Sequence, residues 1–241
     1  MKKPAWNRPK SRVMLGLLLF LAAAFLSQCG VLIGHASFSG QVVDAESGHP
    51  VSGAVVVAVW ELQGLHSTVG VFEFQEVVAD SDGNYTVPRW GPRLNLRFLF
   101  TSMYHASPRL VVFKSDYQPE FRLNHRKSWG NPIYYKADSL ENLTISLQPV
   151  DSLSSGYGDL VSEIDSTIRD LLTRAGCDWE HIPNLLIEMD KTGRKLINAG
   201  IDARNLLITR IPQKNCGNPA EVLRQHGNRE AEAYDTEIEG R

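Results

Sequence analysis

Asp80, Asp82 and Asn84 stand at alternate positions in ADSDGNYTVP, residues 79–88. Oxygen-bearing side chains at that spacing are what a calcium loop uses. An EF-hand loop begun at Asp80 would need Gly at its sixth position and a bidentate Glu at its twelfth, and the chain has Tyr85 and Gly91 there. A hairpin turn uses every residue present. Gly83 can take positive φ, and Asp80 and Asp82 can accept nearby backbone N–H groups. Asp80, Asp82 and Gly83 are therefore expected to be structural, with no metal or cofactor implied.

Catalytic signatures are sparse. None of His35, His49, His66, His105, His125, His181 and His226 has Glu three positions later, so the H-x-x-E zinc pair of a carboxypeptidase is not formed. H-E-x-x-H, G-x-S-x-G, G-x-G-x-x-G and the P-loop pattern are missing as well. The expectation is a chain that is not an enzyme. The three cysteines divide between the N-terminus and the C-terminal region. Cys177 and Cys216 are an even pair that reads as a disulfide in an exported chain. Two unrelated thiols are the alternative, and no His or Cys lies at zinc-ligand spacing from either.

Between residues 89 and 140 the chain is rich in aromatic and basic residues. Tyr104, His105, Tyr117, Trp129, Tyr134 and Tyr135 are candidates for stacking on a sugar or a peptide. The alternative is that these rings cap the end of the domain, as large apolar side chains usually do.

The elements that must position these residues begin with an address. Residues 1–36 hold five basic residues and no acid, with an apolar run from about Val13 to Ile33. That is the layout of a secretory signal, and Gly34-His35-Ala36 offers small residues for cleavage before Ser37. Two alternatives stay open. The run is long enough for an uncleaved signal anchor, and LSQC at 26–29 resembles a lipobox with Cys29 as acceptor, although Gln28 departs from it. Basic residues ahead of the run place residues 37–241 outside the cytoplasm in each case. Without the first 36 residues the chain has 20 basic against 27 acidic residues, a net of about −7. That sign argues against nucleic-acid binding.

From Phe38 onward, strand formers alternate with turn clusters. Val55–Trp60, the stretch FEFQEVV, the pair Tyr85 and Val87, LNLRFLF at 94–100, RLVVFK at 109–114 and NLTISLQP at 142–149 all read as strands. The stretches SGQVVDAESGHPVSGAVVVA and VVADSDGNYTVP resemble the carboxypeptidase regulatory-like domain family. The matching positions are Gly40, Val42, Asp44, Ser47, Gly48, Pro50, Val51, Gly53, Ala54 and Val56, then Asp80, Asp82, Gly83 and Tyr85. The resemblance covers about residues 37–150 and implies a seven-stranded transthyretin-like antiparallel β-sandwich, with 89–140 as an insertion. It also implies the accessory module of that family without its peptidase.

After Pro149 the apolar period lengthens to that of a helix. One face carries Leu160, Ile164, Ile168, Leu171 and Leu172, and a second carries Ile182, Leu185, Leu186, Met189, Leu196 and Ile197. A small helical hairpin over 151–216 follows, packed on itself and on the sandwich. Residues 217–241 read as a disordered acidic tail. The expected whole is an exported, non-catalytic binding or structural module of the cell envelope. Its partner is a protein or a glycan, and its N-terminal apolar segment is a possible membrane tether. The alternative is an accessory subunit of an envelope peptidase or another enzyme.

Overall fold

The computed structural model describes residues 14–16, 32–63, 68–94, 102–103, 108–122, 140–154, 156–164 and 181–206. The described chain is mostly β, with helices toward the C-terminus. Its strands are β1 (Leu32–His35), β2 (Phe38–Asp44), β3 (Val55–Gln63), β4 (Thr68–Val78), β5 (Asn84–Val87), β6 (Trp90–Leu94), β7 (Ser102–Met103), β8 (Arg109–Phe113), β9 (Glu120–Arg122) and β10 (Leu143–Leu147). They form three sheets: the ribbon β1-β6, a three-stranded sheet β10-β2-β5, and a five-stranded sheet β4-β3-β8-β9 in which β7 also pairs with β3. Helix α1 runs over residues 156–164, and α2 over Pro183–Asn198.

The three- and five-stranded sheets face each other across one apolar core. Phe38, Val42, Tyr85, Val87, Ile145 and Leu147 meet Val56, Ala58, Trp60, Leu110 and Val112 there. The reverse face of the five-stranded sheet makes a second core. Val55, Val57, Val59, Val111 and Phe113 pack against Tyr157, Val161 and Ile164 of α1 and Leu185, Leu186, Met189 and Leu196 of α2. This explains why Val55–Trp60 shows no polar alternation: every one of its side chains is buried, odd positions under the helices and even positions under the facing sheet.

Three departures from the sequence expectations have clear causes. The sandwich is not wholly antiparallel, because β10 pairs with β2 in parallel, Ile145 opposite Val42. The chain leaves β9 in one sheet and enters β10 in the other by a long connection, and only such a crossover delivers a parallel neighbour. The turn at Asp80–Gly83 does not close a two-stranded hairpin. It is a corner between sheets, since β4 pairs with β3 and β5 with β2. Finally, Leu160 lies outside the buried face of α1. Three residues along a helix is a step of about −60°, so the face centred on Tyr157, Val161 and Ile164 leaves Leu160 at its margin, 37% exposed.

A bulge adjusts β4. Glu73 pairs with Trp60 and Val71 with Glu61, so Phe72 has no cross-strand partner. The extra residue reverses the inside–outside alternation. Phe74 faces the helices, whereas Phe72 turns to the sandwich core.

Helix α2 is fastened by three carboxylates, two from other elements and one of its own. Its N-cap is Ile182, which has no side-chain oxygen, and its first turn carries no acid. Glu76 of β4 supplies the missing acceptor: its Oε2 takes the Asn184 N–H and its Oε1 the Leu185 N–H, at 2.9 and 2.7 Å. These are amides that a helix leaves unmet at its start. Midway along, Glu188 is buried and accepts from the Ser115 N–H at 3.1 Å and from Lys191 Nζ at 3.1 Å. In the last turn Lys195 Nζ reaches both oxygens of Asp116.

Candidate functional site

The residues that looked most like a metal loop are used by backbone. Asp80 Oδ1 accepts the N–H groups of Asp82 and Asn84, at 2.9 and 2.8 Å. Gly83 has φ of 72°, and its carbonyl accepts the Val42 N–H at 2.8 Å. A Cβ on Gly83 would stand 2.4 Å from the Val42 carbonyl oxygen, so the corner packs directly on β2. Asp82 lends its carbonyl to Gln41 Nε2. Among the described residues, no group of three or more His, Cys, Asp or Glu side chains is placed to hold a metal ion.

Asp44 organises the neighbouring turn in the same way. Its Oδ1 accepts the N–H groups of Glu46 and Ser47 and the Ser47 hydroxyl. Its Oδ2 accepts the Tyr117 hydroxyl at 3.1 Å. The Ser47 N–H is the main reason the Asp44 carboxyl sits below its ordinary pKa. Tyr117, alone of the six aromatic candidates, lies among the described residues. Its half-buried ring packs on the sandwich core, its hydroxyl ties the β8–β9 turn to the β2–β3 turn, and burial raises its pKa. Tyr104, His105, Trp129, Tyr134 and Tyr135 lie outside the described residues, as do Cys29, Cys177 and Cys216.

The outer face of the three-stranded sheet carries an open arrangement of hydrogen-bonding groups. Thr144, Gln41 and Asn84 are directly opposite one another across β10, β2 and β5. Two residues along, Ser39 stands opposite Thr86, and its carbonyl accepts the Asn142 N–H at 2.7 Å. The result is two rows of hydroxyl and amide side chains. They line a hollow of about 410 Å³ with Gly40 and Tyr85 at its floor. Strand spacing of about 4.8 Å separates groups within a row, and about 7 Å separates the rows.

The floor explains a motif glycine. A Cβ on Gly40 would come within 2.3 Å of the Leu143 carbonyl oxygen and 2.5 Å of the Tyr85 hydroxyl oxygen. Only a residue without a side chain lets the Tyr85 ring cross β2 there. Tyr85 turns its ring into the sandwich core beneath the hollow, and burial, aided by the charge of Glu141, pushes its pKa up to about 12. Glu141 stands beside the rim, where the Ser39 hydroxyl donates to it at 2.8 Å.

The sequence contained a faint trace of this face. Ser39, Gln41, Asn84, Thr86 and Thr144 are the outward partners of inward Phe38, Val42, Tyr85, Val87 and Ile145. Every one is an uncharged hydrogen-bonding residue. Only the pairing of three distant strands turns that pattern into a surface.

Opposite in character is the aromatic cluster near the β1-β6 ribbon. His35 packs on Phe38 and Trp60, Trp60 lies edge-on to Trp90, and Phe72 contacts Trp90, with ring centroids 5.2–5.6 Å apart.

No family model matches the chain, and no curated protein matches it. Among solved structures, it is similar to a 9R-lipoxygenase from Cyanothece, at 13% identity and a TM-score of 0.24. The alignment covers 80% of this chain, which spans 28% of that enzyme's length.

Proposed function

We propose that this chain is a non-catalytic binding module of the cell envelope, built on a carboxypeptidase regulatory-like, transthyretin-like β-sandwich. It binds a neutral, hydroxyl- and amide-rich ligand, an envelope glycan, on the outer face of its three-stranded sheet. The observation that carries this reading is the chemistry of the hollow. Serine, threonine, asparagine and glutamine side chains from three strands line it together. General acid–base catalysis needs a group that changes protonation near the working pH, and hydroxyl and carboxamide side chains do not. Hydroxyls and amides can both donate and accept, which suits sugar hydroxyls and N-acetyl groups. The Gly40, Asp44, Gly48, Gly83 and Tyr85 positions of the family pattern have structural work in this fold, which supports the family reading. Export rests on the basic-then-apolar N-terminus.

The test is calorimetry with neutral envelope oligosaccharides, an N-acetylhexosamine tetrasaccharide first, on the full chain and on a Gln41→Ala/Asn84→Ala variant. Binding by the parent and its loss in a variant of unchanged Tm is the expected result. Equal binding by both proteins, or none by the parent, sinks the glycan reading. Recovery of the chain in a stable complex with an envelope enzyme would favour the accessory-subunit alternative.

A further inference from the structure

The N-terminal segment offers a processing point after Ala36, yet the fold employs the residues just before it. Leu32–His35 is strand β1, with Leu32 opposite Leu94, Ile33 opposite Arg93 and His35 opposite Trp90. Among the described strands β6 has no other ladder partner. A lone strand has no ladder to hold it in place.

The first of the small residues that suit a peptidase is accounted for by packing. A Cβ on Gly34 would stand 3.0 Å from the Trp90 carbonyl oxygen and 3.4 Å from the Gly91 Cα, so the ribbon closes tightly only with glycine there. His35 Nδ1 lies 2.6 Å from the Ala36 carbonyl oxygen, and its ring covers Phe38 and Trp60 at centroid distances of 5.6 and 5.2 Å. Trp60 and Trp90 are only 1% and 5% exposed beneath this cover. Cleavage before Ser37 would remove the His35 ring and the only described partner of β6, opening both indoles to water.

We propose that Leu32–Ala36 is a structural part of the mature domain, so that any proteolytic removal of the upstream apolar segment occurs before Leu32 and not between Ala36 and Ser37. The point of cutting matters only if the chain is exported, as in the preceding section. The place of Leu32–Ala36 in the fold does not depend on export.

Two measurements on the full chain, produced with its own N-terminus, test this. Intact mass of the folded protein from membrane and soluble fractions should give an N-terminus at Leu32 or upstream of it. A folded domain that begins at Ser37 overturns the proposal. Hydrogen–deuterium exchange should show slow amides within Leu32–His35, matching their β6 partners, whereas exchange as fast as in a free peptide overturns it too. Fractionation reads export separately. A chain confined to the cytosol would sink the export reading alone, with exchange at Leu32–His35 still deciding whether the segment belongs to the fold.

Discussion

The two faces of the five-stranded sheet are covered by different means. On one face the three-stranded sheet is tied to the five-stranded sheet by backbone: beyond the end of β10, the Gln148 carbonyl accepts the Gln118 N–H and the Val150 N–H donates to the Asp116 carbonyl of the β8–β9 turn, at 2.8 and 2.9 Å. On the other face, among the described residues, no ladder connects the helices to the strands. There the side chains of Glu76 and Glu188, with the Lys195–Asp116 pair, hold α2 over an apolar stripe. Apolar burial is non-directional and fixes neither sliding nor rotation of a helix. Directional side-chain bonds fix both. The sandwich should therefore be the more rigid unit, and the helical layer the first to open.

Core truncation is the largest perturbation and probes this difference directly. Trp60→Ala, in the sandwich core, should cost about 3–5 kcal/mol, and Leu185→Ala, in the helix core, about 2–5 kcal/mol. In chemical denaturation, Leu185→Ala should lose helical circular dichroism ahead of indole fluorescence, while Trp60→Ala loses both together. Coincident transitions in Leu185→Ala would mean that the two faces form one cooperative unit.

Removing a fastener is a smaller test. Glu188→Ala leaves the buried Ser115 N–H without its acceptor, at a cost of about 1–3 kcal/mol. Glu188→Gln keeps an acceptor oxygen and should recover most of that loss in the same denaturant titration. Full loss in the glutamine variant would show that charge, not the hydrogen bond, does the holding. Glu76→Ala should cost about 1 kcal/mol, as for loss of an N-cap. Slowed exchange of the Asn184 and Leu185 amides in the parent, but not the variant, would trace the effect to the start of α2.

The smallest effect concerns the backbone-positioned face. The Asp44 carboxyl has a lowered pKa in the fold, chiefly through the Ser47 N–H, against about 3.9 in an unfolded chain. Its contribution to stability is therefore complete above that ordinary value. It is lost as the pH falls through the lower folded value. Asp44→Asn should flatten this part of the acid limb in Tm measurements between pH 5 and pH 2. An unchanged limb would mean that other carboxylates dominate it.

Much of the β architecture was legible in local pattern. The turn residues Gly48 and Gly83 do have positive φ, and the unbroken run Val55–Trp60 marked a strand. What was not legible depends on partners far along the chain. Glu76 caps a helix more than 100 residues away, so a search for an N-cap beside Pro183 finds only Ile182. The direction of β10 follows from the connection that delivers it, not from LTISL itself. The bulge at Phe72 arises from register with β3. The polar face is not legible in the sequence, because serine, threonine, asparagine and glutamine on strands read as ordinary solvent-facing residues until three strands bring them together. Residue type alone marks the aromatic candidates, and Tyr117 shows how such a ring can serve as a tie between turns.

The most direct test of the proposed role is amide and side-chain shift mapping by NMR during titration with the N-acetylhexosamine tetrasaccharide. The account predicts shifts concentrated on Gln41, Asn84, Thr86 and Thr144, with an affinity that does not change between pH 6 and pH 9. Shifts centred elsewhere, or an affinity that follows a titration within that range, would contradict it.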